Sequence, residues 1–323
     1  MKKHLILVYL IFLFSFILKS QNLDFTAPDT ACVGQQISIL NNSSGWQTYK
    51  WNYCKGEPTQ TVVGVNLGNP SNSFDRPDFL QVVKDGSNYI GLVSNDKDPN
   101  IGYVSRVNFG TSIEGAPTVE NLGDFGGKLN KPTNLKLINE GNNWYCFYLN
   151  AGLLTSDYRL VRLDFGNSLL NNPTVVDFGN VGGFLSYPLE IDIIKTDGKF
   201  IGFITNLNNT LQRLEFGSNL TSTPNIFNLG NIGNLSRPTN FKFVSSIGKW
   251  YMFLVNDNNH SITRLDFGSS LRNTPIGRHL GNPQGKLDRP LDIIPFFECG
   301  DFSALVANGT NNQLLRVEFV DGI

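Results

Sequence analysis

One phrase returns five times along these 323 residues. Aligned on Leu-Gly-Asn and its close variants, its glycines fall at Gly68, Gly123, Gly179, Gly230 and Gly281, at spacings of 55, 56, 51 and 51. A proline follows each, at Pro77, Pro132, Pro188, Pro238 and Pro290. An asparagine then ends an apolar run, at Asn95, Asn150, Asn206, Asn256 and Asn308. Last comes Arg-x-x-Phe, starting at Arg106, Arg162, Arg213, Arg264 and Arg316, with a glycine after the Phe in the first four copies. Four landmarks held in phase at this period mark a repeat architecture.

Each copy reads as four short strands. In the fourth, "PTNFKFV" (238–244) alternates, "KWYMFLVN" (249–256) is apolar and aromatic, "SITRLDF" (261–267) alternates, and "PIGRHLG" (275–281) closes the unit. Gly, Asn or Pro bounds every run, and no window keeps a helical period. A twisted four-stranded sheet of this size cannot bury both faces alone, but packed radially against its neighbours it can. The expectation is an all-β propeller of five four-stranded blades. The last copy stops at "LLRVEFVDGI" (314–323), whereas "TVVGVNLG" (61–68) precedes the first copy without a parent blade. That N-terminal strand is expected to complete the fifth blade and close the ring; the competing reading is an incomplete larger propeller.

Composition narrows the class. Lys and Arg (26) nearly cancel Asp and Glu (27), so no long-range field favours nucleic acid or an anionic membrane. The 40% apolar fraction and 24 Phe argue for a packed core. "MKKH" followed by "LILVYLIFLFSFIL" (5–18) has the form of a secretory signal peptide ending near residue 20, an uncleaved anchor being the alternative. The mature protein is expected to be secreted or at the cell surface, with no membrane span after cleavage. Export permits disulfides, and Cys32 and Cys54 bracket a small polar segment they could clip. Cys146 reads as a buried thiol in a strand, and Cys299 has no evident partner.

The unit "RPTNFKFVSSIGKWYMFLVNDNNHSITRLDF" (237–267) resembles the NHL type of propeller repeat, in which proline opens the inner strand. More closely, "LGN…RPTNF…GKWYMFLVN…ITRLDFGSSL.NTP" resembles the propeller of secreted PKD-domain proteins from gliding Bacteroidota, over roughly residues 25 to 323. "TACVGQQISILNNSS" with "TYKWNYC" is similar to the first strands of a PKD or immunoglobulin-like sandwich. The resulting division is a signal peptide (1–20), a partial PKD-like β segment (21–58) and the propeller (59–323). The resemblance implies surface secretion and adhesion.

Residues repeated in every copy are poor candidates for catalysis. The five arginines are expected to pair with acids or carbonyls of a neighbouring blade, and the five asparagines to occupy left-handed turns after a strand. The alternative is a ring of equivalent sugar sites. Catalysis has to break the symmetry. Two residues after the blade prolines stand Asn134, Glu190, Asn240 and Asp292, while blade one offers Asp78 at the adjacent position. Glu190 with Asp192, opposite Asp78 or Asp292, is the carboxylate set that a glycosidase would need. The same acids could equally be paired with Lys136, Lys242 or the arginines at 76, 237 and 289. A channel of lysine-paired acids would favour binding over hydrolysis.

Other chemistry has less support. "DKDP" (96–99) and "NDNN" (256–259) offer oxygen ligands for calcium without the spacing of a calcium loop, and no other cofactor or metal is expected. The histidines, His4, His260 and His279, are too few and too scattered for a triad or a zinc site. Trp144, Tyr145, Trp250 and Tyr251 could form a carbohydrate platform, with core packing the simpler reading. The main expectation is therefore a non-catalytic binding or display module contacting glycans or proteins at the cell surface. The alternative is a polysaccharide-acting glycosidase or lyase using inner-strand carboxylates.

Overall fold

The computed structural model describes residues 25–26, 38, 40–41, 65–97, 102–298 and 301–320. The chain divides into two compact units, Met1–Pro58 and Thr59–Ile323. In the first, β1 (Phe25–Thr26) pairs antiparallel with β2 (Leu40–Asn41). The signal segment, Cys32, Cys54 and Cys299 lie outside the described residues.

The second unit is an all-β, five-bladed propeller of antiparallel sheets. Blade 1 comprises β3 (Pro77–Asp85), β4 (Asn88–Asn95), β5 (Tyr103–Gly110) and β6 (Thr118–Gly123). Blade 2 comprises β7 (Pro132–Glu140), β8 (Asn143–Ala151), β9 (Tyr158–Gly166) and β10 (Thr174–Gly179). Blade 3 has β11 (Pro188–Thr196), β12 (Lys199–Asn206), β13 (Leu211–Gly217) and β14 (Asn225–Gly230). Blade 4 has β15 (Pro238–Ser246), β16 (Lys249–Asn256), β17 (Ser261–Gly268) and β18 (Ile276–Gly281), each within two residues of the bounds expected from sequence. Blade 5 has β19 (Pro290–Glu298), β20 (Asp301–Asn308) and β21 (Gln313–Glu318). Among the described residues no fourth strand joins β21; residues 65–68 carry no strand, and 61–64 lie outside the described set.

The landmarks occupy equivalent places. In every blade the proline faces the asparagine across the first two strands, and the register then slips by one residue. Proline suits the first position of an inner strand, where its missing N–H costs no ladder bond. The glycines Gly68, Gly123, Gly179, Gly230 and Gly281 all have φ between 62° and 87°. That left-handed turn is open to Gly at little cost, which accounts for the constancy of the residue. In four of them the amide donates to the Asn or Asp two residues earlier, closing an Asx turn.

The asparagines do something other than expected. None of the five has a left-handed backbone; each is a buried amide that ties two strands and a loop together. Their Oδ1 atoms accept from the amides of Asp75, Lys131, Ser186, Ser236 and Asp288, just upstream of each inner strand. Their Nδ2 groups donate onward, as Asn256 does to Ser261 and Thr263. A buried amide so satisfied is worth more than its turn propensity.

The arginines reach forward. Arg106 donates to the carbonyls of Leu169 and Asn171 in blade 2, Arg162 to Leu220 O of blade 3, and Arg213 to Arg272 O and Asn273 O of blade 4. Arg264 is held by Asp266 within its own blade, and Arg316 pairs with Glu318 on the exposed edge.

Four apolar clusters fill the spaces between consecutive blades. Alternation along the second strand supplies both sides. Phe147 and Leu149 of β8 face blade 3, while Cys146 and Tyr148 face blade 1. Each fully buried Leu or Phe contributes about 1.5–3 kcal/mol. Cys146 is a free, buried thiol whose pKa burial pushes far above the usual range. Tyr145 and Tyr251 are buried, and Trp144 and Trp250 pack against the clusters, so the four aromatics form no exposed platform. Among the described residues no cluster joins blade 5 to blade 1. The faces there carry exposed Leu80, Val82, Leu291 and Ile294 instead.

Candidate active site

The register slip after each proline turns the next residue out of the ladder and sets the following one at the axial end of the inner strand. These axial residues are Phe79, Asn134, Glu190, Asn240 and Asp292. The repeat fixes the position but leaves its chemistry free. Two residues further on stand Gln81, Lys136, Asp192, Lys242 and Ile294.

Glu190 is the centre of this layer. Only 5% of it is exposed. Asn134 Nδ2, from blade 2, donates to its Oε2 at 2.5 Å, and Lys242 Nζ, from blade 4, lies 3.4 Å from its Oε1. Burial pushes the carboxyl up to about 8. Lys242 opposes that shift, whereas Asp192 and Asp292 reinforce it. The acid is therefore protonated at neutral pH although a lysine stands beside it, because desolvation of the carboxylate outweighs one long ion pair.

The other acids divide around it. Asp192 is bound to Lys136 Nζ at 2.5 Å, and its Oδ1 accepts from the amide of Ile193. Asp292 makes the corresponding backbone contact with the Ile293 amide. Asp78 does not join the set. Its carboxyl is raised, first by desolvation and then by Asp96, with Arg76 and Lys131 opposing. Of the carboxylates singled out from sequence, the structure brings together Glu190, Asp192 and Asp292. The Oδ1 of Asn240, buried in the same layer, has no hydrogen-bond partner.

A second polar motif was not foreseen. Arg237 and Arg289 both hold Asp257, at 3.1 and 2.9 Å, and Asp257 is 2% exposed. Arg76 and Lys131 share Asp96 in the same way, at 3.6 and 4.0 Å. The two acids directly follow the landmark asparagines of blades 4 and 1, where blades 2, 3 and 5 have Ala151, Leu207 and Gly309. That departure from the repeat was the signal available. The arginines stand just before the blade prolines, where Arg76, Tyr187, Arg237 and Arg289 all have φ of 49–54°. A residue before proline ordinarily stays extended, so four equivalent left-handed residues mark a strained rim. The oxygen atoms of Asp96 and Asp257, candidates for calcium, are thus occupied by cationic side chains. Residues 98–99 of the first candidate lie outside the described set. Among the described residues no cluster of His, Cys, Asp or Glu could hold a metal, and no helix is long and apolar enough to cross a membrane.

No protein-family model matches the chain, and no curated protein matches it. Solved structures do share the fold. The catalytic domain of the Coprinopsis cinerea GH62 α-L-arabinofuranosidase superposes with a TM-score of 0.50 at 11% identity, over 77% of this chain and 91% of that one. An α-L-arabinofuranosidase from Podospora anserina, in complex with cellotriose, gives 0.49 at 11% identity, over 77% and 91% of the two chains. A GH43 β-xylosidase/α-arabinofuranosidase from a compost metagenome, in complex with xylotriose, gives 0.46 at 12% identity, over 79% and 95%. At such identities the likeness is one of fold. The expectation of a non-catalytic binding or display module is nevertheless corrected. The solved structure that shares the fold at a TM-score of 0.50 is an arabinofuranosidase by name, which favours the alternative, a polysaccharide-acting glycosidase.

Proposed function

We propose that this protein is a glycoside hydrolase acting on a polysaccharide, with Glu190 as its general acid. The carrying observation is the buried Glu190 carboxyl, protonated at neutral pH, at the axial end of an inner strand where two further carboxylates influence it. Glycoside hydrolysis needs one carboxylic acid to protonate the departing oxygen and one carboxylate to activate water or attack the sugar. Glu190 supplies the first. Asp292 supplies the second, since Asp192 is neutralised by Lys136. Asn134 orients the Glu190 carboxyl through its side-chain amide. The arabinofuranosidase with the same fold suggests arabinose-substituted polymers as the first substrates to try.

The test is release of sugar from arabinan and arabinoxylan by the full chain, compared with Glu190→Gln. Release that the substitution abolishes supports the assignment. Equal release by both proteins, or none from any plant polysaccharide tried, sinks it.

A further inference from the structure

β21 leaves its outer edge open. Among the described residues no strand pairs with it on that side, whereas the third strand of every other blade carries a fourth. A hollow of about 680 Å³ lies against this edge, lined by Leu314, Leu315, Arg316 and Val317 of β21 and by Pro283 and Gln284 of the loop entering blade 5. Leu314 is 71% exposed. An open edge with apolar side chains is a template for one more strand.

The segment suited to that edge stands just ahead of blade 1. Val65, Asn66, Leu67 and Gly68 carry no strand, and Val65 is 76% exposed. Their local geometry is nonetheless that of the end of a fourth strand. Gly68 has φ of 72°, and its amide donates to Asn66 Oδ1 at 2.8 Å. Gly179 and Gly230, the last residues of β10 and β14, do the same with Asp177 and Asn228. Asn69, the next residue, clamps Phe74 through both halves of its side-chain amide. The same double clamp joins Asn180 to Leu185, Asn231 to Leu235 and Asn282 to Leu287. Each of those three asparagines directly follows the fourth strand of the preceding blade. Gly68 also stands nine residues before Pro77, the separation of Gly179 from Pro188 and of Gly281 from Pro290. The connection into blade 1 is thus built as one that leaves a fourth strand, and among the described residues the blade with that place open is blade 5.

We infer that the occupant of the β21 edge is Val65–Gly68 of the same chain, paired antiparallel in the register of the other blades. Sequence alone places 61–68 at this edge; the described residues add the local geometry and the register. In the other blades the residue opposite the arginine lies three before the glycine, so that Arg106 faces Glu120, Arg213 faces Phe227 and Arg264 faces Arg278. On blade 5 that register sets Gly68 opposite Leu314, Asn66 opposite Leu315 and Val65 opposite Arg316. A tethered segment competes at an effective concentration in the millimolar range, which favours it over the same segment of a second copy. The pairing concerns the outer edge alone; inner-strand side chains such as Leu80 are not in it. It is independent of the hydrolase reading.

The test is a cross-link. Val65→Cys and Arg316→Cys are introduced together in the full chain, both at exposed positions, and the protein is oxidised mildly. Peptide mass spectrometry identifies the linked pair, which separates it from any link made by the native cysteines. Directly opposed residues meet disulfide geometry, and residues two positions off do not, so linkage between positions 65 and 316 should exceed that of the Val65→Cys, Glu318→Cys pair about tenfold. Oxidising an equal mixture of unlabelled and isotope-labelled protein shows which chain supplies the segment. Links confined to one label, at the expected register, support the inference. Links joining the two labels assign the edge to a second copy. That outcome overturns the inference, as do equal yields from the two pairs or no link at all.

Discussion

Two rings of side chains run around this propeller, and they differ in what repetition has done to them. The asparagines ending each second strand are the same residue five times, each buried and hydrogen-bonded to the loop before its inner strand. The axial residues directly beside them are Phe79, Asn134, Glu190, Asn240 and Asp292, no two neighbours alike. The first ring holds each blade's entry in place, so any change there disturbs a blade. The second projects from a backbone already fixed, so its chemistry can vary without cost to the sheet. Function is to be sought where the repeat permits variation.

Substitutions separate the two rings, and the largest effect falls on the variable one. Glu190→Gln should lower hydrolysis by about 10²–10⁴-fold and leave the thermal melt unchanged or higher, since it replaces a buried acid with a neutral amide. Loss of activity through loss of fold would show in the melt and would move Glu190 to the structural ring.

The pH profile follows from the same group. Activity should fall as pH rises through about 8, where Glu190 loses the proton it must donate. Stability has the same sign. The folded state holds this proton more tightly than the unfolded chain, so the contribution is complete below the unfolded value of about 4.5 and is lost as pH rises through about 8. Lys242→Met removes a charge that lowers this pKa and should shift the alkaline limb upward. A limb that stays put would detach the profile from Glu190.

On the constant ring, Asn256→Ala should cost about 1–3 kcal/mol in denaturant unfolding, the penalty for stranding buried partners, with the pH limb unmoved. The smallest effect is expected at the unpacked faces of blades 1 and 5. Leu80→Ser, at a side chain 59% exposed, should change stability by no more than about 0.5 kcal/mol. A larger loss would reveal a packing partner for that face.

The sequence carried the first ring almost completely. Proline and asparagine kept a fixed separation because they are cross-strand partners, and the strand bounds followed from the same period. What it concealed were quantities set by residues distant in the chain. Glu190 was visible as a symmetry-breaking acid, but its proton depends on burial and on Lys242 and Asp292 from two other blades. Lysine pairing was expected among these acids, and the structure shows it twice, close for Lys136 with Asp192 and long for Lys242 with the buried Glu190. Asp257 read as one of several oxygen ligands open to calcium, whereas two arginines, of blades 4 and 5, converge on it. The asparagine role was misassigned for a related reason: turn propensity is local, whereas the hydrogen bonds that hold these amides cross from strand to loop.

The forward-reaching arginines also impose an order in time. Arg106 has its carbonyl partners 63 and 65 residues later in the chain, and Arg162 has its own 58 residues later. A ribosome adding about 5–20 residues per second delivers those partners roughly 3–13 seconds after the arginine itself. Until then each guanidinium has only the acid of its own blade to pair with, Glu120 for Arg106 and Asp164 for Arg162. Every blade but the last in this chain of contacts is completed by its successor, so the propeller is assembled as a queue.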